Sequence, residues 1–122
     1  MKKQLLPILS ALGAFSSTVA AQEATYVSSD GDEYFASENE HGGVMTSRYP
    51  KSRFVEMGAA SHTIDGYEII YFGRSCDAFT KAFGSGTWGR ANGGFVVEFQ
   101  NGARMAFPRQ DLPWESLIHC RL

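Results

Sequence analysis

The chain is expected to fold as a small all-β domain, mainly antiparallel: a barrel or sandwich of about six to eight strands with one short helix and one disulfide. Three observations carry this. Turn-forming residues recur about every ten positions. The apolar residues between them come in short runs rich in aromatic and β-branched types, as in Tyr67 to Phe72 and Phe95 to Phe99. No stretch shows the sustained 3.6-residue apolar period of a long amphipathic helix.

The first twenty-one residues stand apart from that pattern. Lys2 and Lys3 precede a mostly apolar run from Leu5 to Val19, and Val19-Ala20-Ala21 offers the small residues of a cleavage site. This is the pattern of an export signal, too short for a comfortable membrane span. No Cys occurs before Cys76, so the signature of a lipid-anchored protein is missing. The expectation is a signal peptide over 1–21 and a single domain over 22–122, released into the periplasm or secreted, with no membrane anchor.

Cleavage would remove two of the 11 basic residues and none of the 13 acidic ones, moving the net charge from −2 toward about −4. Nucleic acid and anionic lipid are therefore poor partners. Asp30, Asp32, Glu33, Glu38 and Glu40 fall in one window without a Lys or Arg. Such a window attracts a basic partner, or is a solvated hairpin face. The two cysteines, Cys76 and Cys120, make an even count in an oxidising compartment and are expected to bridge. Closing a loop of about forty-five residues should stabilise the fold by up to roughly 4 kcal/mol. Metal ligation by the pair is the alternative, but no second Cys or His sits at the usual two-to-four-residue spacing, and His119, beside Cys120, would point the other way on a strand.

Taken in order, Tyr26 to Ser28, Glu33 to Ser37 and Val44 to Tyr49 read as strands, separated by turns at Asp30-Gly31-Asp32 and His41-Gly42-Gly43. Pro50 interrupts, Phe54 to Met57 is a further short strand, and Gly58 through Gly66 reads as a loop. Tyr67 to Phe72 is apolar on both faces and is expected to be central and deeply buried. Asp77 to Phe83 is expected to make one or two helical turns capped by Ser75. Gly84 to Gly94 contains five glycines in eleven residues and is expected to be an irregular loop.

The hairpin from Phe95 to Phe107 allows its register to be argued. A two-residue Asn101-Gly102 turn would split the apolar residues between faces. A three-residue loop, Gln100-Asn101-Gly102, pairs Phe99 with Ala103, Val97 with Met105 and Phe95 with Phe107, and sets Glu98 against Arg104 in solvent. Pro108 ends the strand, and Ser116 to Leu122 is expected to return as a last strand carrying Cys120.

Hydrolytic signatures are missing: no Gly-x-Ser-x-Gly elbow, no His-Glu-x-x-His, and no recognisable Cys–His pair. His41, His62 and His119 read as loop or strand residues. Asp30-Gly31-Asp32-Glu33 departs from an EF-hand. No catalytic residue, metal or cofactor is assigned. The candidate binding residues are Ser85, Trp88 and Arg90 of the glycine-rich segment, Trp and Arg being the types that dominate interface energetics; the competing reading packs Trp88 over the barrel end and solvates Arg90.

Three segments carry a family resemblance. Tyr26 to Ala36, Gly84 to Trp88 with Gly94 to Gly102, and Leu117-Ile118-His119-Cys120-Arg121-Leu122 together resemble the exported bacterial inhibitors of C-type lysozyme. That family's first Cys lies in the opening strand, where Ser28 and Ser29 stand here. The resemblance implies a small antiparallel β-barrel that inserts a loop into the cleft of a basic lysozyme, with Ser85 as the loop residue. The resulting expectation is an exported, non-catalytic, monomeric protein with a protein partner. A structural or accessory envelope domain and a small hydrolase are the alternatives.

Overall fold

A computed structural model describes residues 24–57 and 60–122. The expected signal segment lies outside these residues, as do positions 58 and 59 of the expected Gly58–Gly66 loop. The described chain is all-β and almost wholly antiparallel. Its strands are β1 (Thr25–Val27), β2 (Glu33–Asn39), β3 (Gly42–Ser47), β4 (Lys51–Met57), β5 (Ala60–Gly66), β6 (Ile69–Gly73), β7 (Asp77–Thr80), β8 (Gly84–Ala91), β9 (Gly94–Phe99) and β10 (Arg104–Phe107), followed by a 3-10 turn at Glu115–Leu117.

Eight strands form one sheet in the order β1-β2-β3-β6-β7-β8-β9-β10, and β4 and β5 form a separate hairpin arm between the neighbours β3 and β6. The sheet curls into a nearly closed barrel. At its seam, Ser29 N–H donates to the carbonyl of Ala106 (2.8 Å). The amide side chain of Gln110 completes the join, accepting from Val27 N–H (2.8 Å) through Oε1 and donating to the Val27 carbonyl (2.7 Å) through Nε2. A side chain thus supplies the pairing that a further strand residue would, so the edge is not left open.

Inside lies an aromatic core. Phe72 packs against Trp88, Phe95 and Trp114 with ring centroids 5.3, 6.1 and 4.7 Å away, and Phe95 stacks on Phe107 at 4.8 Å. Each buried indole satisfies its N–H on a backbone carbonyl, Trp88 on Gly73 (3.0 Å) and Trp114 on Ser37 (2.7 Å). Trp114 lies so close over β3 that a Cβ on Gly43 would come within 2.3 Å of its ring.

The hairpin register follows the three-residue loop: Glu98 opposite Arg104, Val97 opposite Met105 and Phe95 opposite Phe107, with Phe99 N–H bonded to the Ala103 carbonyl (2.9 Å). Gly102 has the positive φ (+97°) that the loop requires. The Cys76–Cys120 bridge is present, its Cα atoms 5.4 Å apart across a sequence separation of 44.

Four local expectations are corrected. Asp77 to Phe83 does not form helix: its first four residues are strand β7, paired to β6 on one side and β8 on the other, and seven residues of helix propensity do not outweigh ladders on both edges. Gly84 to Gly94 is not an irregular loop but strand β8 and a tight turn into β9. Its glycines serve close approach, since a Cβ on Gly89 would lie 2.5 Å from the Arg121 backbone that crosses it. At the turn, Asn92 and Gly93 both have positive φ (+53° and +77°), the form that matches strand twist in a two-residue hairpin. The expected Gly58–Gly66 loop is, from Ala60, strand β5 paired to β4 through seven residues. Ser116 to Leu122 is not a strand: Leu117 is buried in a 3-10 turn, and a single parallel bridge joins Arg121 to Arg90.

Candidate binding face

Strand β6 alternates. Ile70 and Phe72 point into the barrel and are fully buried, while Ile69 and Tyr71 point out and remain 37% and 44% exposed. The expectation of burial on both faces fails because a single sheet curled into a nearly closed barrel has an inside but no second layer over its outside. Next to β6, β7 repeats the alternation, with Ala78 and Thr80 inward and Phe79 outward at 45% exposure. Register places Tyr71 opposite Val44 on β3 and opposite Phe79 on β7, and Phe79 opposite Ser85 on β8. The outer surface therefore carries a cross-strand row, Val44–Tyr71–Phe79–Ser85. The Tyr71 and Phe79 rings lie 6.4 Å apart at a tilt of 36°.

Below this row the arm β4–β5 stands off the barrel and leaves a cleft of about 320 Å³, bounded by Ile64 and Asp65 of the arm, Tyr67, Tyr71 and Phe79 of the barrel, and Lys81. Tyr67 is 60% exposed at its mouth. An apolar floor with a few polar groups at the rim is the usual character of a binding cleft.

The arm is anchored by a buried polar network. Glu68 accepts two hydrogen bonds from the Arg53 guanidinium, at Oε2 from Nε (2.7 Å) and at Oε1 from Nη2 (2.9 Å), and a third from the Tyr34 hydroxyl (2.5 Å). Glu68 N–H donates to the Ser47 hydroxyl (2.8 Å), and the Arg53 guanidinium lies 5.1 Å over the Phe83 ring. Burial, with the bond to Glu68 second, pushes the Tyr34 hydroxyl far above its ordinary range. The hydrogen bonds to Glu68 likewise raise Arg53, outweighing its partial desolvation, so the guanidinium stays charged. Bidentate geometry with every partner satisfied is the condition under which a buried pair holds position.

The sequence-derived candidates separate in space. Ser85 is exposed and sits at the edge of the aromatic row. Trp88 is fully buried on the opposite side of β8 and is unavailable as a surface contact. Arg90 is half-buried and donates from Nε to the Ile118 carbonyl (3.0 Å), while its backbone bonds Cys120 and Leu122. It holds the C-terminal segment and is not a solvated contact. The acidic window is also altered by folding: Asp32 meets Lys51 (2.5 Å), Glu33 meets Arg48 (3.0 Å) and Glu38 meets Arg74 (3.5 Å). Cations distant in sequence offset it, so it is no single-signed patch. The sequence-derived candidates omit Tyr67, Tyr71 and Phe79; an apolar residue at every position of Tyr67 to Phe72 except Glu68 is the signal that points to the first two, and Phe79 carries none.

Comparison of the chain with protein-family models, with curated proteins and with solved structures finds no match.

Proposed function

We propose that this chain is an exported, non-catalytic binding protein that recognises a protein partner through the outer face of β6 and β7, with Ser85 at its rim. The exposed Tyr71–Phe79 pair carries the reading. Large aromatics held side by side on a rigid sheet, with an apolar cleft beside them, cost solubility and are characteristic of interaction sites. Among the described residues, most of the carboxylates near this face are engaged: Glu68 with Arg53 and Tyr34, Asp32 with Lys51, and Asp65 with the Ser52 hydroxyl (2.6 Å). That pattern favours binding over acid–base chemistry.

Export is supported by the basic and apolar leader and by a bridge compatible with an oxidising compartment. No helix among the described residues is long and apolar enough to cross a membrane. The resemblance to C-type lysozyme inhibitors makes a basic lysozyme the first partner to test, with Ser85 and the neighbouring aromatics as the contact in place of Trp88 and Arg90. Mature protein at micromolar concentration should slow cell-wall lysis by a C-type lysozyme. Tyr71→Ala and Phe79→Ala, whose side chains leave the core untouched, should each weaken binding by about tenfold or more. Absence of any slowing would remove lysozyme as the partner.

A further inference from the structure

We propose that Cys76, Cys120 and His119 form a redox-gated site for zinc(II), closed by the disulfide in the oxidised protein and open when the bridge is reduced. The three residues take no part in the aromatic face, and the site is independent of the binding role proposed for it.

Both sulfurs and a ring nitrogen of His119 lie within 4.8 Å of one another. Tetrahedral zinc, with Zn–S near 2.3 Å and Zn–N near 2.0 Å, holds such donors roughly 3.5 to 3.8 Å apart. Small side-chain rotations therefore bring the three onto one centre. The backbone that carries them is also held by hydrogen bonds of its own. The Cys76 carbonyl accepts from Trp88 N–H (3.0 Å) and the Cys120 carbonyl from Arg90 N–H (2.9 Å), so both cysteines hang from the same strand two residues apart. Local turns hold them as well, through Cys76 N–H to the Gly73 carbonyl (3.0 Å) and Cys120 N–H to the Leu117 carbonyl (3.1 Å). Donors placed on a fixed frame lose little freedom on binding.

His119 is oriented for the role. Its Nε2 lies 2.9 Å from the Arg74 carbonyl oxygen. A carbonyl can only accept, so in the neutral ring Nε2 bears the proton and the lone pair is on Nδ1. Among the described residues no hydrogen bond occupies Nδ1, and a ring with one nitrogen protonated and pinned by a backbone carbonyl is how metal-binding histidines are held. Cys120 is buried, Cys76 half-buried and His119 exposed, which leaves an open side for entry and for a water as fourth ligand.

The chemistry balances with a dithiol reductant. Two electrons and two protons pass to the bridge, giving two thiols and the reductant's own disulfide. Zinc then displaces both thiol protons to solvent, and the ion with two thiolates makes a unit without net charge.

The test uses mature protein reduced with a phosphine, cobalt(II) as optical probe, and zinc in competition. One equivalent of cobalt should give a thiolate charge-transfer band and tetrahedral visible bands, zinc should displace it, and the oxidised protein should give neither. His119→Ala should weaken cobalt binding by at least about tenfold, and Cys76→Ser, which leaves a single thiolate, should weaken both binding and the thiolate band. Zinc should also raise the thermal midpoint of the reduced protein. A reduced, folded protein without the thiolate band overturns the proposal, as does unaltered binding in His119→Ala. Reduction that unfolds the chain, with no recovery on adding zinc, overturns it too. Phe79→Ala should leave cobalt binding unchanged, so failure here is distinguishable from failure of the binding face.

Discussion

Trp88→Ala should destabilise the domain by about 3 to 5 kcal/mol. The indole is fully buried, packs edge-on to Phe72 at 5.3 Å and to Trp114 at 6.1 Å, and donates to the Gly73 carbonyl. Truncation leaves a cavity at the centre of the aromatic core and a carbonyl without its donor. The surrounding rings are fixed by their own strands and cannot collapse into the space. Against a total stability of roughly 5 to 15 kcal/mol for a domain of this size, that is a large share. The thermal midpoint should fall by more than about 12 °C, read by near-ultraviolet circular dichroism. Ser85→Ala, on the exposed side of the same strand, should change stability by no more than about 0.5 kcal/mol. A Trp88→Ala protein with wild-type stability would mean that the indole faces solvent, as its residue type and glycine-rich surroundings first suggest.

Glu68→Ala should be the second large loss, about 3 kcal/mol. Glu68 is 5% exposed at its side chain and Arg53 21%. Removing the carboxylate strands a guanidinium that is only partly solvated and leaves the Tyr34 hydroxyl without its acceptor. Arg53, with the Lys51–Asp32 pair beside it, ties the arm to the barrel floor, so the loss should be local as well as global. Amide hydrogens of β4 and β5 should exchange much faster than those of β8 and β9, whereas in the wild-type protein the arm is held. Uniform acceleration across all strands would contradict the arm's dependence on this pair.

What could be read in the amino-acid order divides along physical lines. The Phe95–Phe107 hairpin was legible to the residue, because loop length sets strand parity and only one parity puts Phe95, Val97, Phe99, Met105 and Phe107 together. The bridge was legible from the even cysteine count, read together with the expectation of export. Gly84 to Gly94 is not legible in the same way, because glycine content signals backbone freedom but not its use. In the fold Gly89 gives room for the Arg121 backbone, and Asn92-Gly93, a recognised turn pair, was the overlooked cue. Asp77 to Thr80 is a strand for reasons of pairing that no local propensity encodes. The acidic window looked unopposed because Arg48, Lys51 and Arg74 reach it only through space.

The candidate face was hidden for a related reason. A run that is apolar at nearly every position is compatible with burial between two layers or with a single-layer barrel that displays aromatics outward. Only the topology, one sheet curled into a nearly closed barrel with the β4–β5 arm standing off it, decides between them. Of the three expected contacts, Ser85 alone lies on the displayed side. Trp88 and Arg90 belong respectively to the core and to the anchoring of the C-terminal segment.

The most direct test of the binding face is residue-resolved chemical-shift mapping of the mature, oxidised protein titrated with a C-type lysozyme. Shifts and broadening should concentrate on Ile69, Tyr71, Phe79, Lys81 and Ser85, with the turn at Asn92-Gly93 and the C-terminal segment unaffected. Changes centred on that turn and on Arg90, with the outer residues of β6 and β7 silent, would contradict the face described here.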